Sequence, residues 1–389
     1  MLPTQMPENS TDSTRQGPMK RHFGWKLLKS TSVVSVMTVL SRILGLVRDV
    51  VFARMFGATI VMDAFIVANR IPNMLRRFFA EGAFSQGFVP VMARYREKND
   101  QNQAQQFVDS VAGTLGLLLF VVTLIGVLAA PLLVLIVAPG FVGEDGRFDL
   151  ATAMLRFTFP YLLFVSLTAF AGGVLNTYGK FGAPAFTPVI LNVVLIASAL
   201  LLAPQLEEPG MGLAYGVLIA GVIQLLFQIP FLAKIRAVPR PRWRPAHEGV
   251  RRVVRLMLPA IFGSSVAQIN VLLGGVIASL LGVGKISLLY YSDRLMEFPL
   301  GIFGIAIATV TLPYLSRQAA NQSMEEFSQT VDWSMKLMLL ISVPAAVALI
   351  VLAGPLVATI FYGGVFSAID VEMAALSLQA FAIGLIGFS

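Results

Sequence analysis

Apolar residues fill this chain in long runs separated by short polar connections. Runs long enough to span ~30 Å of hydrocarbon, roughly 20 residues each, fall near 31–53, 60–93, 107–138, 150–176, 184–204, 211–233, 252–283, 286–315, 328–362 and 368–389. The pattern predicts ten membrane helices, several long enough to project beyond a bilayer. The expected fold class is an all-α integral membrane protein, a polytopic helical bundle. The last run, SLQAFAIGLIGFS, ends in apolar sequence without a polar flank, so a C-terminally truncated chain is expected, or one that continues in further residues. Residues 1–26 are polar and carry Pro3, Gly17 and Pro18, which predicts a disordered tail. This tail does not read as a signal peptide. Its polar region is too long, and the apolar run behind it contains Arg42 and lacks a small-residue cleavage site.

The connections alternate in charge. Arg15, Lys20, Arg21, Lys26 and Lys29 precede the first run, and Arg94, Arg96 and Lys98 follow the second. Lys180 follows the fourth, and Arg317 follows the eighth. The sixth connection is the long basic one, with Lys234, Arg236, Arg240, Arg242, Arg244, Arg251, Arg252 and Arg255. Between these lie Glu144, Asp145, Arg147 and Asp149, then Glu207 and Glu208, then Lys285 alone, then Asp370 and Glu372. Cytoplasmic loops carry the excess of Lys and Arg, so the N-terminus and every even-numbered connection are expected in the cytoplasm.

The basic connection, AVPRPRWRPAHEGVRR, divides the chain. The expected organisation is a disordered cytoplasmic tail at 1–26, a first lobe at 27–235, a basic cytoplasmic linker at 236–250 and an incomplete second lobe at 251–389. An internal repeat supports two lobes. ANR at 68–70 and VPVMARY at 89–95 resemble SDR at 292–294 and TLPYLSR at 311–317, and PLLVLI at 131–136 resembles PLVATI at 355–360. Aligned on Ala68 with Ser292, Pro90 with Pro313 and Pro131 with Pro355, the three matches share an offset of 223 or 224 residues and run in the same direction through the membrane. Parallel repeats around an axis along the membrane normal are a transporter architecture, with substrate held between the lobes.

Charge then changes the picture. The chain has 389 residues, of which 56% are hydrophobic and 13% charged, far below the roughly 25% charge of soluble domains. The net charge of +8 reflects the basic loops and a set of buried-run arginines, so no nucleic-acid partner is expected; the linker's bland reading is a segment lying on anionic headgroups of the membrane lipids. Zero cysteines exclude disulfides and thiolate chemistry. Between Ser41 and Gln86 the apolar runs hold Arg42, Arg48, Asp49, Asp63, Arg70, Arg76, Arg77 and Glu81, and Asp293, Arg294 and Glu297 lie in the eighth run. The seventh run, from Leu256 to Leu281, has no charge. An arginine at mid-bilayer depth costs ~2.5–3.5 kcal/mol on insertion scales, so intramembrane charges face water, a partner or a ligand. Arg42 and Asp49 share a helix face with Gly45 between them, Asp63, Arg70, Arg77 and Phe84 recur at seven, and Arg77 with Glu81 forms an i,i+4 pair.

Arginine still exceeds acid in this set. A pocket with surplus guanidinium favours an anion, and the planar fork of Arg matches phosphate bidentately at any physiological pH. Phosphate or diphosphate on a lipid carrier fits that chemistry better than a cationic drug. The bland alternative is closed ion pairs, or side chains snorkelling to headgroups. Catalysis has little support: His22 and His247 are the only histidines and lie in the tail and the linker, and no HExxH, P-loop, GxSxG or metal-ligand cluster is present.

At SRILGLVRDVVFARMFGA, DAFIVANRIPNMLRRFFAEGAFSQGFVPV, APGF, YYSDRLMEFPLGIFG and TLPYLS, the chain resembles the MurJ/MviN family of lipid II flippases, within the multidrug/oligosaccharidyl-lipid/polysaccharide exporter group. The resemblance runs from Leu28 to the last residue. It implies two lobes around a central cavity and fourteen helices, of which this chain would lack about four. It implies lipid II as substrate, carried across the bacterial inner membrane by alternating access. Arg42, Arg48, Arg76 and Arg294 match the family's required cavity arginines, and Asp49 and Asp63 match acidic positions beside them. Ser41, Arg77 and Glu81 are expected in supporting or gating roles. No cofactor or metal is expected, with membrane potential or Na+ as the driving force, and the protein is expected to be a monomer. The competing expectations are a flippase for another undecaprenyl-diphosphate glycan, a cation or drug antiporter of the same fold group, and a membrane enzyme acting on polyprenyl phosphates.

Overall fold

The computed structural model describes residues 18–77, 83–97, 100–143, 145–299, 311, 315–316, 318 and 324–388. Among these the regular structure is helical, without a strand: α1 (Pro18–Phe56), α2 (Ile60–Arg76), α3 (Ala83–Glu97), α4 (Gln101–Leu128), α5 (Ala130–Val137), α6 (Arg147–Thr158), α7 (Tyr161–Thr177), α8 (Gly182–Ala197), α9 (Pro209–Lys234), α10 (Glu248–Leu280), α11 (Lys285–Pro299), α12 (Met324–Val351), α13 (Ala353–Phe361) and α14 (Ala368–Phe388).

Within the described residues every apolar run coincides with a helix or a broken helix. The breaks sit where helix propensity fails. Ala129 separates α4 from α5, whose first turn holds Pro131, and Pro160 stands between α6 and α7. Proline removes one i→i−4 bond and crowds the preceding carbonyl. Six described helices are long and apolar enough to cross a membrane, and α10, bent by 48° between Gly263 and Gln268, makes up to seven. The helices richest in intramembrane charge are shorter within the described residues, α2 at 17 residues and α11 at 15. The described part of the expected disordered tail, residues 18–26, is helical and continuous with the rest of α1.

The repeat is visible where the long helices end. α12 ends at 351 against 128 for α4, an offset of 223. Each is followed, after one residue, by a short helix, α5 or α13. In each half the long helix therefore breaks at the same place.

Packing joins α1 to α8, α7 to α9, α2 to α6, α3 to α10, and α11 and α12 to α14. One aromatic core stacks Phe84, Phe88, Phe107 and Phe170. Another gathers Tyr291, Phe361 and Phe366. At one end of the bundle, segments distant in sequence interlock through bare backbone. Gly364, at φ +60, lies so close to the Arg54 carbonyl that a Cβ would collide with it, and Val365 donates its N–H to that same oxygen at 2.9 Å. A positive φ at such a contact admits glycine with least strain. The basic connection is held in place along α4. The Arg240 N–H donates to Asp109 Oδ1 (2.8 Å), the Arg242 N–H to the Asp109 carbonyl (3.0 Å), and Gln105 Nε2 to the Val238 carbonyl (2.9 Å).

Candidate functional site

Three helices build the arginine site. α1 packs lengthwise on α8, and α11, from the second half of the sequence, reaches α1 through its side chains. On α1, Asp49 is buried at 2% exposure. Arg48 turns its fork onto this carboxylate, with Nε and Nη2 donating to Oδ1 at 2.9 and 2.7 Å. The same guanidinium reaches α8 through Nη1, which donates to Asn192 Oδ1 at 3.0 Å, and α11 through Nη2, which donates to Tyr290 Oη at 3.1 Å. Tyr290 in turn donates its hydroxyl to Asp49 Oδ1 at 2.9 Å. Arg294, one turn along α11, faces the other oxygen: its Nε lies 3.7 Å from Asp49 Oδ2. That distance is an ion pair but not a hydrogen bond, and Arg294 Nε is buried without a hydrogen-bond partner. Arg294 Nη1 is held by Glu297 at 2.7 Å, and its guanidinium lies 5.0 Å from the centre of the Tyr290 ring.

Within these contacts two guanidiniums meet two carboxylates, so the site is closer to charge balance than the sequence tally suggests. The pairing also differs from the expected i,i+7 stripe. Arg42 and Asp49 are about 10 Å apart along the axis at ~1.5 Å per residue, beyond direct pairing, and Asp49 takes Arg48 and Arg294 instead. Arg42 is exposed on α1. Ser41 is half-buried, and its carbonyl accepts from Asn192 Nδ2 at 2.9 Å.

The second helix carries two further functions. Near its start, Asp63 is fully buried and reaches the other half of the chain. Its Oδ2 accepts the Gly284 N–H at 2.6 Å, and its Oδ1 accepts the Ser287 N–H at 2.9 Å and the Ser287 hydroxyl at 2.6 Å. These are the orphan amides at the start of α11, so Asp63 caps that helix from outside it and meets the positive end of its dipole. Gly284 has φ +82 and sits against the Ala58 carbonyl, so the α1–α2 turn and the α10–α11 turn close on one another here. Further along, Arg70 is half-buried and lays its guanidinium over Gly275 of α10. Arg76 is half-buried, with Nε donating to Asn73 Oδ1 at 3.3 Å, and Arg77 is exposed. Glu81 lies outside the described residues.

Asn192 and Tyr290 belong to this site although sequence reasoning did not single them out. Asn192 left a signal: it is the lone amide in the apolar run TPVILNVVLIASALLL, and a polar side chain at that depth calls for a partner. Tyr290 left little, since a Tyr pair at a membrane helix end resembles an interfacial anchor. No group of metal-ligating side chains occurs among the described residues.

Comparison with known proteins places the chain in a family. A family model described as lipid II flippase MurJ matches residues 52–389. A probable lipid II flippase MurJ of Haemophilus influenzae is 49% identical over 365 residues, covering 90% of this chain and 72% of that protein. A lipid II flippase MurJ of Burkholderia cenocepacia is 44% identical over 365 residues, covering 93% of this chain and 71% of that protein. A solved lipid II flippase MurJ in an inward closed conformation superposes with a TM-score of 0.76 at 28% identity, over 91% of this chain and 72% of that one. An inward-facing multidrug resistance MATE family transporter superposes with a TM-score of 0.68 at 14% identity, over 91% and 82%, a likeness of fold alone.

Proposed function

Since the chain belongs to the lipid II flippase MurJ family, we propose that it moves lipid II across the bacterial cytoplasmic membrane by alternating access, with Arg48 and Arg294 gripping the diphosphate. One observation carries the assignment of residues: arginines from opposite halves of the sequence converge on a single carboxylate, and Arg294 Nε there lacks a hydrogen-bond partner. Asp49 occupies the place of an anion. A diphosphate offers more negative charge and more acceptor oxygens than one carboxylate, and Arg forks match phosphate bidentately. Substrate entry then exchanges Asp49 for diphosphate on both guanidiniums, and loosens the Arg48–Tyr290 and Asp49–Arg294 contacts that tie the halves together.

The remaining charges take roles around that exchange. Arg42, Arg76 and Arg77 add positive potential along the route, and Asp63 closes the outer end by capping α11 until the halves rock apart. The N-terminus lies in the cytoplasm, following the charge alternation of the connections. No cofactor enters the step. Membrane potential or a sodium gradient biases the two states, each charge moved through the field being worth ~2.3 kcal/mol per 100 mV. The working unit is a monomer.

The test is binding of undecaprenyl diphosphate to the purified full-length protein. Arg48→Ala and Arg294→Ala are each expected to weaken it by at least tenfold, since a hydrogen bond to a charged group contributes roughly 1.5–3 kcal/mol. Wild-type affinity in both variants would overturn the assignment.

A further inference from the structure

We infer that Asn192 is a positioning residue that sets the Arg48 guanidinium for the diphosphate, an inference that rests on the role given to Arg48 above. Its side chain is 6% exposed and sits midway along α8. The amide is used at both ends. Oδ1 accepts from Arg48 Nη1 at 3.0 Å, and Nδ2 donates to the Ser41 carbonyl at 2.9 Å, with the Ser41 hydroxyl at 3.4 Å. These partners fix the orientation of the amide, because only its oxygen can face a guanidinium and only its nitrogen can face a carbonyl. Gly45, one turn beyond Ser41, faces the same amide, and a Cβ there would stand in ordinary contact with Asn192 Nδ2, at 3.8 Å.

The three contacts on Arg48 differ in what they can do during transport. Tyr290 comes from α11 in the other half, so the contact with it breaks if the halves separate. Asp49 is the anion that substrate displaces. Asn192 is neutral and stands on α8, which packs along α1, so it stays with Arg48 whichever way the site opens. A neutral acceptor also leaves the full positive charge available, where a carboxylate at 192 would compete for it. Asn192 therefore restrains one Nη1 edge of the fork and leaves Nε and Nη2 to face the exchanged anion. Without it, a side chain with four rotatable bonds has to be ordered by the substrate itself, at a cost in affinity.

A double-mutant cycle tests this, with undecaprenyl diphosphate as the probe and thermal unfolding of each purified full-length variant as the structural control. Asn192→Leu keeps the branching at Cγ and removes both hydrogen bonds; Asn192→Ala removes them without adding bulk. Each is expected to weaken binding about tenfold. Each is also expected to have no further effect when combined with Arg48→Ala, because a residue acting only through Arg48 has nothing left to position. A purely structural role predicts the opposite, a lower unfolding midpoint and losses that multiply in the double variant. Unchanged binding in both Asn192 variants, or multiplicative losses, overturns the inference while an impaired Arg48→Ala leaves the function standing. Wild-type binding by Arg48→Ala removes both.

Discussion

Asp49 is the single acceptor on which Arg48 and Arg294 meet. Asp49→Asn keeps its shape and removes its charge, leaving two guanidiniums with weaker compensation. Breaking a buried ion pair by removing one partner costs ~3–5 kcal/mol, and the retained amide oxygen softens that. Because Asp49 also competes with substrate for the same donors, the variant is expected to bind undecaprenyl diphosphate several-fold more tightly while unfolding at a lower temperature and transporting poorly. Weaker diphosphate binding than wild type would contradict the exchange. At this scale the sequence identified the cast better than the pairings. The density of arginine in apolar runs pointed to Arg48 and Arg294, yet the partner of Asp49 proved to be its neighbour Arg48 together with a residue 245 positions on. Helical spacing reports only which residues share a face of one helix. Asn192 and Tyr290 enter through helix-on-helix packing, to which spacing within a helix is blind.

Between elements, the contact of α2 with the start of α11 depends on Asp63 alone for the Gly284 and Ser287 amides. Asp63→Ala leaves two buried N–H groups unpaired, each costing roughly 1–3 kcal/mol. Amide exchange at 284 and 287 is expected to rise 10–100-fold, with the rest of α11 following as its first turn frays. Unchanged protection there would show that the cap is idle. A carboxylate capping a helix from elsewhere in the chain leaves no local signature in sequence, since N-cap patterns report residues adjacent to the helix they cap. The basic connection gives a parallel case. Its charges were legible in the sequence, but its attachment to α4 runs through backbone amides and Asp109. Asp109→Ala is expected to speed tryptic cleavage after Arg242 several-fold in the folded protein, Arg240 and Arg244 being protected by the prolines that follow them. Cleavage at the wild-type rate would mean that the connection is held by other contacts.

For the whole molecule, apolar periodicity and repeat carried most of the fold. Every predicted run contains a helix, and α4 with α5 recurs as α12 with α13 at the same offset. The apolar pattern alone does not mark where long runs break; the breaks follow the prolines inside them, Pro160 between α6 and α7 and Pro131 in the first turn of α5. The account as a whole claims that two arginines, one from each half, share one substrate diphosphate during transport. The most direct measurement is the fraction of cellular lipid II open to cleavage by an enzyme added outside the cytoplasmic membrane, in cells whose sole flippase is this protein. With Arg294→Ala in place of wild type, and equal amounts of folded protein in the membrane, the account predicts that lipid II accumulates and stays protected from cleavage. Lipid II as accessible as in wild-type cells would contradict it.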